Sequence, residues 1–280
     1  MLSQQQYGRG SEPGVRPSPL FFAIVAVTAL AAWGTTVRSG AAGIAVFVFI
    51  AGAWTLSIVF HEFAHAFLAW RGGDRSVPQR GYLTLDPRKY THPVMSFGIP
   101  LFFIIMGGIG LPGGAVLLNR SVLSGPRASI VALAGPLTNL AFGCISLAVL
   151  GFEVVDFATQ PYLTAAIAFF GFLQIAVFVL NMIPIPGFDG YAVIEPTLSP
   201  STQELMRPVA RYGPLVAILF LWQVAPVGDA FRQAIDFFTE LFGVDPLFSE
   251  CGLEHFRFWS SRSSEAEEQF VQELCGTANL

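Results

Sequence analysis

His61, Glu62 and His65 stand as H-E-x-x-H inside an apolar stretch, IVFHEFAHAF over 58–67. On a helix, residues four apart share a face, so both imidazoles reach one cation. Glu62 lies to one side of that pair, where it can take a proton from water at the metal. Zinc with three protein ligands and one open position lowers the pKa of its water to about 7. Each ionisable group in a bilayer core costs on the order of 2–3 kcal/mol or more. Three of them between positions 61 and 65 of an apolar helix therefore point to one zinc ion rather than to helix packing.

Such a site needs a third ligand. Asp189 is the best candidate, in NMIPIPGFDG over 181–190. Pro184 and Pro186 force extended backbone and Gly187 and Gly190 permit a close turn, which would aim a carboxylate from a helix end. Asp86, His92 and Glu195 are weaker alternatives by position.

The elements that must hold these residues are membrane helices. The chain of 280 residues is 53% hydrophobic and only 12% charged, against about one-quarter charged in soluble domains. Apolar runs fall at about 20–37, 43–70, 97–118, 128–152, 162–183 and 212–226, several near the roughly 20 residues that cross a bilayer. The expected fold is an all-α polytopic membrane protein of five to six transmembrane helices. The run at 97–118 contains Gly98, Pro100, Gly107, Gly108, Gly110, Pro112, Gly113 and Gly114 and reads as a re-entrant segment lining a cavity. Residues 228–243 place Phe231, Ala234, Ile235, Phe238, Leu241 and Phe242 at helical spacing, which suits an interfacial amphipathic helix or a sixth crossing.

Basic residues in short loops mark the cytoplasmic side. Arg71, Arg75, Arg80, Arg88 and Lys89 follow the H-E-x-x-H helix, and Arg120 and Arg127 flank the next connection. His61 and His65 precede Arg71 by about 15 and 9 Å of helix, so the metal is expected within the membrane, toward the cytoplasm. The organisation read from these signals is a disordered tail at 1–18, a transmembrane domain at 19–226 with its core at 43–195, the amphipathic segment at 227–243, and an acidic tail at 244–280. An uncleaved first membrane helix is preferred to a signal peptide. No basic run interleaved with aromatics suggests nucleic acid. Cys144 reads as a packing residue, and whether Cys251 and Cys275 pair is left open by the sequence.

HEFAH in a membrane helix, AGPLTN at 134–139 and NMIPIPGFDG at 181–190, in that order, resemble the site-2 protease family of intramembrane zinc metalloproteases. GYLTLDPRKYTHP at 81–93 is similar to its bacterial members that lack an inserted PDZ-like domain. The resemblance covers roughly 43–195. It implies a plasma-membrane enzyme performing regulated intramembrane proteolysis on a single-pass transmembrane protein within the lipid bilayer. His61, His65 and Asp189 would be zinc ligands and Glu62 the base. It also implies that Asn139 and Asn181 lie near the substrate, each either donating to the reacting strand or making interhelical hydrogen bonds. An adaptor or a homo-oligomer stays open. The alternatives weighed are a catalytically silent membrane scaffold of the same fold, a di-iron bundle lacking its second E-x-x-H, and a transporter lacking an inverted repeat.

Overall fold

A computed structural model describes residues 14–37, 42–90, 122–123 and 125–259. The predicted re-entrant run at 97–118, His92 and Cys275 lie outside the described residues. Those described are helical, without strands. Four helices are long and apolar enough to cross a membrane: α1 (Pro19–Thr36), α2 (Ala42–Arg71), α5 (Gly125–Gly151) and α6 (Pro161–Asn181). Short helices α3 (Ser76–Gln79) and α4 (Pro87–Tyr90) follow α2, and α7 (Asp189–Ile194) and α8 (Pro200–Met206) follow α6.

α5 runs antiparallel to α2 and α6, and small residues set how closely it approaches them. A side chain at Gly143 would overlap Ile175, and one at Gly171 would press on Ser146. α1 packs along α2 with Phe21 edge-on to Phe60 at 5.8 Å. Its N-terminal approach is tied to the loop after α3 by Arg16 N–H to the Leu83 carbonyl (3.1 Å) and Ser18 N–H to the Thr84 carbonyl (2.8 Å). Leu30, Ile130 and Ile145 point outward and are exposed, as a lipid-facing surface requires.

The last apolar run and the amphipathic segment after it form two separate helices. α9 (Gly213–Gln223) has only 11 residues, and α10 (Ala225–Leu241) leaves it at a bend of 97°. Val224 at the break is extended (φ −112°, ψ 91°), and Pro226 in the first turn of α10 has no N–H with which to carry α9 onward. The described residues thus hold four spans, or five if the bent pair counts as one. α10 buries Ile235 against Leu147, Leu150, Ile175 and Ala176. Leu241 is 64% exposed.

The segment read as the start of a featureless acidic tail contains α11 (Leu247–Phe256). It packs across the far ends of α2 and α6, with Phe256 against Phe47 (5.1 Å between centroids) and Phe169 (5.9 Å). Cys144 carries a free thiol and is half-buried.

Candidate metal centre

The site lies near the C-terminal end of α2, where His61, Glu62 and His65 are all buried. Room for the two imidazoles comes from α5. A Cβ at Gly135 would stand 2.6 Å from His61 Nε2 and would collide with His65 Nε2, so only glycine admits the pair. Pro136 next to it removes the donor for the Ala132 carbonyl and loosens this turn. The nearby Val131 carbonyl accepts a hydrogen bond from His65 Nδ1 at 2.7 Å. A carbonyl only accepts, so Nδ1 carries the proton and the Nε2 lone pair faces the site. His61 Nδ1 contacts Asn139 Oδ1 at 2.5 Å, which leaves its Nε2 facing the same point.

The third donor arrives from the turn after α6. Gly187 has φ +107°, a conformation that glycine adopts without strain. A side chain there would also meet the Ala210 carbonyl and Pro214, and one at Gly213 would meet the Pro186 carbonyl. The turn is therefore clamped between α6 and the segment leading into α9. α7 follows directly and starts at Asp189, anchored to α5 by Ser129 Oγ donating to the Val193 carbonyl at 2.6 Å.

Asp189 Oδ2 stands 3.2 Å from His61 Nε2 and 3.4 Å from His65 Nε2, and the two Nε2 atoms are 3.1 Å apart. Two ligands each about 2.0–2.1 Å from a tetrahedral zinc ion lie roughly 3.3 Å from one another. The three separations and the N,N,O donor set thus fit zinc. The Asp189 side chain is 26% exposed against 9% for the histidines, so the site opens on the aspartate side.

Asn139 does not face that opening. Its Oδ1 meets His61 and its Nδ2 donates to Gln174 Oε1 at 2.7 Å. Asn181 is buried at the end of α6, and its Nδ2 has no hydrogen-bond partner among the described residues. The Tyr191 hydroxyl, two residues beyond Asp189, is likewise buried and without a partner. Asp86 lies apart from the centre, held by Arg88 through Nη2 to Oδ2 at 2.7 Å and Nε to Oδ1 at 3.0 Å. That pairing keeps its carboxyl below the usual range. Glu195, the remaining alternative, opens the turn after α7 and is not in the converging group.

Gly135, Gln174 and Tyr191 were not among the residues the sequence suggested. Gln174 had a signal, as the lone polar residue between Thr164 and Asn181 in an otherwise apolar helix.

A bundle of apolar helices holding two buried imidazoles and a carboxylate at these separations defines a membrane zinc metalloprotease. The chain belongs to the site-2 protease family. It is 43% identical over 259 residues to the "Putative zinc metalloprotease Rip2" of Mycobacterium tuberculosis (strain ATCC 25618 / H37Rv), covering 90% of this chain and 97% of that one. To the protein of the same name in Mycolicibacterium smegmatis it is 42% identical over 252 residues, 88% of this chain and 96% of the relative. A third relative, YwhC of Bacillus subtilis (strain 168), is 30% identical over 185 residues, 62% of this chain and 79% of its own length. No family model and no solved structure matches the chain at a significant level.

Proposed function

We propose that this multi-pass membrane metalloprotease cuts within the transmembrane segment of a single-pass protein, from a site facing the cytoplasmic side. His61, His65 and Asp189 are the zinc ligands, Glu62 is the general base and acid, and Asn181 holds the substrate. The catalytic domain spans 19–226 around a core at 43–195. The observation that carries this reading is the convergence of three donors 3.1–3.4 Å apart, two of them on a helix that ends about 9 Å beyond His65. The basic residues after α2 support the orientation.

Zinc at this site would supply a Lewis acid and a water of lowered pKa. Glu62 takes the proton as the water oxygen adds to the scissile carbonyl carbon. It then returns that proton to the amine nitrogen as the C–N bond breaks. Asn181 offers an unpaired amide N–H to a strand that has lost its own helical hydrogen bonds. The opening beside Asp189 is the side from which such a strand reaches the centre.

Glu62→Gln tests the mechanism. Co-expressed with a model single-pass substrate, the variant should bind as much zinc as the wild type and release no product. Retained turnover would refute the role given to Glu62.

A further inference from the structure

Behind His61 lies a hydrogen-bonded chain that the reaction itself does not require. Gln174 on α6 is fully buried, and Asn139 and Ser57 are nearly so. Gln174 Nε2 donates to Ser57 Oγ at 3.0 Å, and Ser57 Oγ donates its single proton to the Trp54 carbonyl at 2.8 Å. Gln174 Oε1 accepts from Asn139 Nδ2 at 2.7 Å, and Asn139 Oδ1 meets His61 Nδ1 at 2.5 Å. Three helices, α2, α5 and α6, are joined by this chain.

We infer that Gln174 and Ser57 are positioning residues that set the tautomer of His61. The inference rests on His61 being a zinc ligand. Both ends of an amide are nearly the same size, so shape alone does not decide which end of Asn139 faces the imidazole. With the oxygen facing it, Nδ1 must carry the proton and Nε2 presents a lone pair to a metal. With the nitrogen facing it, Nδ1 must accept, and Nε2 carries a proton where the metal would bind.

The direction is fixed one link at a time. The Trp54 carbonyl can only accept, so Ser57 spends its proton there and can only accept from Gln174. Gln174 therefore turns its NH₂ to Ser57 and its oxygen to Asn139. Asn139 must then donate with Nδ2, which leaves Oδ1 for His61. A backbone carbonyl that cannot reverse polarises the whole chain. His65 reaches the same tautomer more simply, because its Nδ1 meets the Val131 carbonyl directly. Only the His61 arm needs side chains to choose a direction.

The experiment is a zinc titration of full-length apo protein in detergent, in competition with a chromophoric chelator. Gln174→Met keeps the volume of the side chain and removes both hydrogen bonds. It should weaken zinc binding by about 10- to 100-fold, the usual effect of removing an outer partner of a metal-bound histidine. Ser57→Ala, the fallback if Gln174→Met does not fold, should weaken it several-fold. A carboxylate accepts from both oxygens and has no direction to choose, so in an Asn139→Asp background the further change Gln174→Met should leave zinc affinity unaltered. Equal losses in the two backgrounds would show a merely structural role and overturn the inference. So would affinity within twofold of wild type in Gln174→Met and Ser57→Ala. Zinc binding that His61→Ala abolishes while Gln174→Met leaves it intact sinks the relay alone. No zinc binding in the wild type sinks the ligand assignment, and the relay with it.

Discussion

The wall behind the metal ligands and the turn in front of them are built on opposite principles. Behind, Asn139 has both ends of its amide engaged, Gln174 bonds at both ends, Ser57 bonds on to a backbone carbonyl, and all three are buried. In front, Asp189 is partly exposed, and Asn181 Nδ2 and the Tyr191 hydroxyl are buried with no partner among the described residues. An unsatisfied buried donor costs about 1–3 kcal/mol, and under the proposed function the two near Asp189 are the ones offered to a substrate. The back is complete in itself and orients ligands. Under the proposed function, a peptide strand would supply the acceptors that the front lacks.

The sharpest way to break this division is to fill the space that serves both sides. Gly135→Ala pushes a methyl group into His61 and His65, and should weaken zinc binding by about 100-fold or more. Zinc titration of the folded variant checks it, and near-normal affinity would mean the imidazoles have room to retreat.

Asn181→Leu probes the front. Zinc affinity should stay unchanged while kcat falls roughly 100- to 1,000-fold, as for loss of a donor to a developing oxyanion. A loss of zinc instead would move Asn181 to the back wall.

Asn139→Leu makes the reciprocal test, with zinc affinity down about 10- to 100-fold. If kcat fell at saturating zinc with the metal still tightly held, Asn139 would act on substrate rather than through His61.

The smallest effect belongs to Tyr191→Phe, which removes an unpaired hydroxyl. Thermal unfolding should show stability unchanged or raised by up to about 1–3 kcal/mol and zinc binding should not move, while KM for a model substrate rises a few-fold. A clear drop in stability would show that the hydroxyl already has a partner.

Much of the front and the ligand set was legible in the sequence, because it is written in local spacing. Two histidines four apart, and an aspartate beyond a Pro- and Gly-rich turn at a helix end, fix ligand geometry within short stretches. The back wall was less legible. Ser57, Asn139 and Gln174 lie on three different helices, and only the register between α2, α5 and α6 brings them together. That Gly135 makes room for the pair of imidazoles is a fact of the same register. The boundary between α9 and α10 was legible to within a few residues, because the apolar run ends near 226 and a segment of helical amphipathic spacing follows it; the 97° bend between them was not.

Zinc content per mole of detergent-purified protein, wild type beside Asp189→Ala, tests the centre of this account most directly and requires no knowledge of the substrate. About one zinc in the wild type, lost or greatly weakened in the variant, is the predicted result. Zinc held equally by both would contradict the assignment of Asp189 as the third ligand, and no zinc in either would contradict the metal site itself.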